Sequence, residues 1–132
     1  MSLLLILAAA TAPINPVLGR WHTTEDRAIV DIAPCGAQLC GTIISSVPAP
    51  GTITPPRDTH NPDPALRNRP IIGVRILNGF TRGRTNWTGG TIYNPVNGKS
   101  YRSQLTMGAD GTLRVAGCVS VICQTQIWRR AN

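Results

Sequence analysis

The chain alternates between short runs in which every second side chain is apolar and links rich in Gly, Pro, Asn and Asp. For example, the apolar residues Leu113 and Val115 lie on either side of the polar Arg114 in the sequence. A period of two places apolar side chains on one face of a β-strand and polar ones on the other. No run of ten or more residues has helical spacing. The sequence therefore predicts an antiparallel, all-β fold with polar turns.

We predict eight strands, near residues 20–22, 28–33, 39–45, 72–77, 86–93, 100–107, 112–117 and 123–129. Most links between them are hairpin-sized, such as residues 94–98 and 109–111, the latter with an Asp-Gly turn signal. Consecutive strands should therefore be antiparallel neighbours. Eight strands in up-and-down order favour a closed barrel, because closure leaves no unpaired edge. We expect one domain of this kind and find no internal repeat.

One link is much longer than the others. Residues 46–70, called the flap below, contain seven prolines, which exclude a central strand. Because long unstructured loops are uncommon in small domains, we expect the flap to be ordered. Within it, Asp63 followed by Pro64 predicts one helical turn, with Asp63 as the N-cap and Pro64 in the first position.

The first twelve residues, MSLLLILAAATA, include an uncharged run that is too short to span a bilayer and resembles the apolar part of a secretory signal. Residues 10–12 fit a small-x-small cleavage pattern, although no Lys or Arg precedes the run and Pro13 follows the cut. The alternative is a helix or strand retained in the domain. We expect a signal peptide over residues 1–12 and a periplasmic or secreted protein that does not span a membrane once the leader is removed.

The four cysteines form two pairs with the same spacing, Cys35 with Cys40 and Cys118 with Cys123. In an exported chain an even number of cysteines indicates disulfides, and each segment has the form of a hairpin turn whose arms approach closely. We therefore predict one bridge within each pair. The alternative, a four-cysteine zinc site, favours tighter spacing between ligands, so we expect no metal.

The charge is strongly positive, with a formal net charge of +7, and Arg supplies twelve of the thirteen basic residues. Such an excess suits contact with acidic envelope surfaces. The longest basic cluster is only the pair Arg129-Arg130, so we expect no nucleic-acid partner.

A set of short motifs occurs in a characteristic order. They are Trp21-x-Thr23-x-Glu25, Cys-Gly-x-x-Leu-Cys-Gly at 35–41, Asn-Pro-Asp-Pro at 61–64, Arg69-Pro70-x-x-Gly73, Trp87-x-Gly89-Gly90-x-Ile92-Tyr93-Asn94-Pro95, Gly98-Lys99-x-Tyr101, and Gly117-Cys118 with Cys123 and Trp128. This set, spread over residues 19–130, resembles a family of small exported bacterial proteins known only as a domain of unknown function.

The resemblance implies a lipocalin-like β-barrel over residues 19–130, secreted or periplasmic, with no established enzyme activity. Lipocalins begin their first strand with Gly-x-Trp and lay an Arg from the last strand region on that Trp. Here Gly19 and Trp21 match the first part, and Arg129 or Arg130, beside Trp128, matches the second. The chain is shorter than ordinary lipocalins, which argues against a large internal cavity.

Candidate ligand-binding residues lie on the strands of the second half. Trp87, Tyr93, Tyr101 and Leu105 could line a pocket in the barrel, although the same residues could simply form its core. Arg75 lies within an apolar run, where an inward Arg would need an anionic partner such as a ligand carboxylate. If Arg75 faces outward, as the alternation allows, this argument does not apply.

An enzyme site has weaker support. His60 lies near Asp58 and Asp63 in the flap and could act as an acid or base there. The alternative is that Asp58 and Asn61 satisfy backbone donors of the loop, in which Asp63 is also placed. No nucleophile motif such as Gly-x-Ser-x-Gly is present, so we expect no catalytic residues, no cofactor and no enzyme activity.

The sequence thus favours an exported barrel that binds a small, partly apolar ligand with an anionic head, or a component of the cell envelope. Two alternatives stay open: a solid barrel that works through its surface as an envelope interaction module, and a hydrolase with its site under the 46–70 loop. The sequence does not predict an oligomeric state.

Overall fold

The computed structural model describes residues 16–48, 50–52 and 54–132. The predicted leader lies outside the described residues. Eight strands follow one another along the chain: β1 Gly19–His22, β2 Ala28–Cys35, β3 Gln38–Ser46, β4 Arg75–Arg82, β5 Trp87–Asn94, β6 Lys99–Met107, β7 Leu113–Val119 and β8 Ile122–Arg130. Two short 3-10 helices, Thr24–Asp26 and Pro64–Leu66, lie in the links.

The strands form one closed antiparallel barrel in the order β1 to β8. Closure comes from β1 and β8, where Trp21 pairs with Arg130 and His22 with Arg129. This up-and-down order confirms the predicted fold. It also places the links β1–β2, β3–β4, β5–β6 and β7–β8 at one end, which we call the flap end. The remaining links and both termini of the barrel lie at the opposite end, which we call the terminal end.

The fourth strand differs from its prediction over residues 72–77, because it begins at Arg75 and continues to Arg82. Gly73 has a φ of 98° and the Val74 N–H donates to the Ile71 carbonyl at 3.1 Å, so residues 71–74 form a turn rather than a strand. Beyond Leu77 the register of β4 against β3 shifts, and β4 continues to Arg82 because Gly79, with a φ of 75°, accommodates a bulge.

Large side chains fill the barrel interior. The largest fully buried ones are Trp21, Trp128, Phe80, Ile32, Leu77, Leu105 and Leu113. Gly90 makes room for one of them, since a Cβ there would lie 2.6 Å from the Phe80 ring. An eight-stranded barrel is just wide enough to be filled in this way, and here its centre is packed.

Two disulfides join the strands of two hairpins, Cys35 to Cys40 across β2–β3 and Cys118 to Cys123 across β7–β8. The predicted local pairing is therefore confirmed. The single helical turn of the flap is also as predicted, with the Asp63 side chain accepting a hydrogen bond from the Ala65 N–H at 3.0 Å. No helix in the described part of the chain is long and apolar enough to cross a membrane.

Candidate functional site

The terminal end of the barrel is organised around Trp21. Its indole Nε1 donates to the Val17 carbonyl at 2.9 Å, and the guanidinium of Arg130 lies 3.9 Å from the ring centroid. Arg130 also donates through Nη1 to the Leu18 carbonyl at 2.7 Å and through Nη2 to the Pro16 carbonyl. One arginine of the last strand thus covers the Trp and fixes the segment that leads into β1.

The other residues expected at this closure have separate roles. Trp128 is buried, and its Nε1 donates to the Gln126 side chain at 2.9 Å. Arg129 forms an ion pair with Asp26 of the β1–β2 link instead of contacting Trp21. Gly19, with a φ of 110°, lies against Arg130, since a Cβ there would be 3.0 Å from Nη1.

Beside this closure, a pocket of about 130 Å³ opens at the terminal end. Val17, Trp87, Leu105 and Met107 supply its apolar walls, and the β4–β5 link supplies its polar ones. We call it the end pocket. A second depression, of about 170 Å³, is lined by residues of β5, β6 and β7 near Gly89 and by no large apolar side chain.

The strand register explains how the end pocket is built. Trp87 pairs with Arg82 on one side and with Leu105 on the other, so the three side chains lie next to one another across β4, β5 and β6. The Arg82 guanidinium lies 5.7 Å from the centroid of the Trp87 ring. Leu105 is fully buried and Arg82 is exposed, so the lining of the pocket changes from apolar at its floor to cationic at its mouth.

The other predicted ligand-binding residues lie elsewhere. Tyr93 and Tyr101 are near the flap end, where Tyr93 pairs with Ser100 and the Tyr101 hydroxyl accepts from the Asn97 side chain at 2.9 Å. Arg75 is exposed on β4, opposite Thr42, so the argument from an inward Arg does not apply to it. Of the predicted set, the structure brings only Trp87 and Leu105 together in one pocket.

At the flap end, a buried carboxylate ties the flap to the barrel. Asp58 is fully buried, and its Oδ1 accepts from the Tyr93 hydroxyl at 2.5 Å. Its Oδ2 accepts from Asn61 Nδ2 at 2.8 Å and from Arg69 Nε at 3.0 Å. Asn61 in turn accepts the Asp63 N–H at 2.8 Å. Asn61 and Asp63 thus accept backbone N–H groups of the loop, whereas these contacts join the Asp58 carboxylate to side chains instead.

The same contacts shift two pKa values. Burial of Asp58 opposes ionisation, but the hydrogen bonds from Tyr93, Asn61 and Arg69 and the charge of Arg69 outweigh it, so the pKa of Asp58 is lowered from 3.8. The pKa of Tyr93 is raised to about 12 by burial, by the hydrogen bond with Asp58 and by the negative charge of Asp58. At neutral pH the flap is therefore held by a carboxylate and a protonated phenol.

We predict that Tyr93 titrates well above an ordinary tyrosine. In a Tyr101→Phe background Tyr93 is the one remaining tyrosine, and ultraviolet absorbance of the tyrosinate should then report a pKa of about 12. Adding Asp58→Asn removes the acceptor charge and should move that titration toward 10. An unchanged titration in the second variant would mean that Asp58 does not hold the phenol.

A second contact fixes the flap at Gly98 in the β5–β6 turn. Gly98 has a φ of 72°, and a Cβ there would overlap the His60 carbonyl. Gly36 in the β2–β3 turn has a φ of 65° with nothing within 4 Å of the same position. We predict that Gly98→Ala lowers the free energy of unfolding by about 1–3 kcal/mol more than Gly36→Ala. Both substitutions strain a backbone of positive φ, but only the alanine at position 98 would displace the flap. Urea denaturation measures both; equal losses would contradict this contact.

The acid–base residues that the hydrolase hypothesis requires are not brought together at the flap end. The ring of His60 is exposed and lies 3.3 Å from the Thr59 hydroxyl, and the ion pairs of the described residues do not include it. The Asp58 carboxylate is occupied by Tyr93, Asn61 and Arg69. Within the described ranges there is also no group of three or more His, Cys, Asp or Glu side chains that could hold a metal ion.

Sequence reasoning missed Arg82, Met107 and Val17 as pocket residues. Arg82 fell outside the predicted fourth strand, so its pairing with Trp87 was not foreseen. The signal that could have found it is the short link of residues 83–86, which places the residues on either side of it directly opposite each other in a hairpin.

The closed eight-stranded barrel, with Gly19-x-Trp21 on its first strand under an arginine from its last, defines a lipocalin-like protein. The chain belongs to a bacterial family described as "Uncharacterized protein conserved in bacteria (DUF2147)", whose model matches residues 19–130. The expected family resemblance is thus confirmed. Its two disulfides fit an oxidising, exported environment.

A solved structure supports the same assignment. The chain is similar to protein HP1028 from the human pathogen Helicobacter pylori, described as belonging to the lipocalin family. The TM-score is 0.75 at 26% sequence identity, over 87% of this chain and 82% of that chain. No curated protein matches the chain.

Proposed function

We propose that the protein is an exported lipocalin-like barrel that binds a compact, partly apolar anion in the end pocket. The observation that carries this proposal is the grading of that pocket from a buried apolar floor at Leu105 to the exposed guanidinium of Arg82. An apolar group would enter the floor and lose contact with water, while the anionic head would stay at the mouth.

The volume limits the size of the ligand. Sites for drug-sized molecules usually measure about 300–1,000 Å³, whereas a protein cavity of about 150 Å³ accepts a molecule as small as benzene. The end pocket, at about 130 Å³, falls in the second class. We therefore assign it a ligand whose apolar part is about the size of one benzene ring, not a long lipid or a porphyrin.

The charge at the mouth sets the sign of the head group. Arg82 is the last residue of β4, and Arg84 lies in the β4–β5 link that follows it. Among the described residues that line the end pocket, Arg82 is the one with a charged side chain. The guanidinium of Arg82 would attract a carboxylate ligand and repel a cationic one.

The proposed location is the periplasm or the exterior of a bacterial cell. Two observations support it: the disulfides, which persist in oxidising compartments, and the apolar leader with its small-x-small cleavage pattern. In this setting a small binding protein would sequester or deliver its ligand without changing it.

Benzoate tests the proposal, because it joins a benzene ring to a carboxylate. We expect calorimetric titration to give a dissociation constant on the order of 0.1–1 mM. Benzylamine, with a similar ring and the opposite charge, should bind at least about fivefold more weakly. Arg82→Gln should weaken benzoate binding by about two- to fivefold, since the guanidinium is exposed and partly screened by water.

A filling variant locates the site. Met107 lines the end pocket, and Met107→Trp should occupy its volume and abolish benzoate binding. Ile127→Trp is the matched control, because Ile127 is an exposed strand residue outside the pocket, and it should leave binding unchanged. Native mass spectrometry of protein purified from its own cells would then identify the natural ligand. Undiminished benzoate binding in Met107→Trp would refute the end pocket as the site.

A further inference from the structure

Exposed apolar side chains are concentrated at the flap end. Of the large hydrophobic side chains exposed in the described part of the chain, all but Ile127 belong to links at that end or to strand ends beside them. They are Val47, Leu66, Ile72, Val96, Val119, Val121 and Ile122. We call this set the apolar rim. It comes from three of the four links at that end, and a grouping of this kind on a small protein marks an interaction surface.

The β7–β8 turn is the most exposed part of the apolar rim. Val121 is 92% exposed and Ile122 is 72% exposed, and Ser120 between the strands has a φ of 54°. A hairpin turn with a positive φ is usually made with Gly, Asn or Asp, not with a Ser-Val pair. The Cys118–Cys123 disulfide joins the two strands directly behind the turn and holds it in place.

The β5–β6 turn lies next to this one. Because Arg102 pairs with Cys118, the register continues to place Lys99 at the level of Val121. Val96, in the turn just beyond Lys99, is 75% exposed. Two neighbouring hairpins thus present apolar side chains at the same end of the barrel.

The charges around the apolar rim are mostly positive. The arginines Arg57, Arg67 and Arg102 donate to backbone carbonyls, so these contacts leave their charges uncompensated by a carboxylate. The acidic residues of the β1–β2 link are compensated, since Glu25 pairs with Arg27 and Asp26 with Arg129. The formal net charge of the chain is +7.

We propose that the flap end docks on the surface of an anionic phospholipid bilayer. The apolar rim would enter the boundary between head groups and acyl chains, and the basic side chains behind it would meet the negative surface. A bilayer fits this surface because it satisfies apolar and cationic groups together. The end pocket, at the opposite end, would then face the aqueous phase.

Vesicle co-sedimentation of the intact disulfide-bonded protein tests this proposal. We expect the protein to sediment with vesicles made of equal parts phosphatidylglycerol and phosphatidylcholine, and only weakly with phosphatidylcholine alone. Val121→Asn combined with Ile122→Asn should reduce the affinity about tenfold or more. Lys99→Gln should reduce it about fivefold. Ile127→Asn, at the exposed apolar residue outside the rim, is the matched control and should bind as the wild type does.

The outcomes are distinguishable. The substituted side chains are exposed, so circular dichroism should show the wild-type fold in each variant. Absence of sedimentation with either vesicle, or equal binding by the Val121/Ile122 variant, would overturn the proposal. So would a wild-type dimer in analytical ultracentrifugation that the same variant dissociates without any effect on vesicles, because the rim would then serve a second copy of the chain. None of these results depends on ligand binding in the end pocket.

Discussion

Trp21→Ala is expected to lower the free energy of unfolding by about 3–5 kcal/mol, a large part of the roughly 5–15 kcal/mol that stabilises a domain of this kind. Trp21 is fully buried, and its removal leaves a cavity at the terminal end. It also removes the ring on which Arg130 stacks and the donor that holds the Val17 carbonyl. Urea denaturation followed by far-ultraviolet circular dichroism measures the loss.

Trp87→Ala is the matched control for this prediction. Trp87 is only half-buried, because one side of it faces the end pocket, so its truncation enlarges an existing space. We expect a loss of about 1–2 kcal/mol. Arg130→Lys, which keeps the charge but not the planar stacking, should cost about 1 kcal/mol. If both Trp variants lowered the free energy of unfolding equally, Trp21 would not be the main stabilising residue of the barrel closure.

Asp58→Ala is the second substitution with a large expected effect. It leaves the hydroxyl of the half-buried Tyr93 and the half-exposed Arg69 without their shared carboxylate. We expect a loss of about 2–4 kcal/mol and faster amide hydrogen exchange in the flap. Asp63→Ala is the control, because Asp63 is an exposed flap residue that only caps one helical turn, and it should cost about 0.5–1 kcal/mol. A similar loss in both variants would contradict the anchoring role of Asp58.

The same carboxylate gives stability a defined pH dependence. The pKa of Asp58 is lower in the folded protein than its ordinary value of 3.8. Its stabilising contribution is therefore complete above 3.8 and decreases as the pH falls from there through the folded pKa. Asp58→Asn should flatten the pH dependence of the urea midpoint in that acidic range. An unchanged slope would show that another group controls acid unfolding.

The fold could be predicted because each local signal pointed to the same architecture. Period-two runs, hairpin-sized links and two Cys pairs at one spacing all require antiparallel neighbours, and eight of them favour closure. The contact of Trp21 with Arg130 followed from the resemblance, but which of the two terminal arginines makes it depends on register. Arg129 points to Asp26 and Arg130 to Trp21, because neighbouring strand residues face opposite sides.

The candidate site was harder to predict, for two physical reasons. The apolar run that predicted β4 ends at Leu77, whereas the strand continues to Arg82 past a glycine bulge against β3, which alternation alone does not reveal. The short β4–β5 link then places Arg82 opposite Trp87. The link between Asp58 and Tyr93 joins residues 35 positions apart in the chain, and no local pattern encodes such a contact. Trp87 and Leu105 lie side by side because they are paired across β5 and β6.

We propose that a compact anion binds in the end pocket of a barrel whose centre is filled. The three tryptophans make this directly measurable, because Trp87 lines the end pocket while Trp21 and Trp128 are buried in the barrel. In a nitrogen-15 correlation spectrum, addition of benzoate should shift the indole N–H signal of Trp87 in a saturable way and leave that of Trp128 in place. A shift of the Trp128 signal without one of Trp87, or no saturable shift of Trp87, would contradict the account.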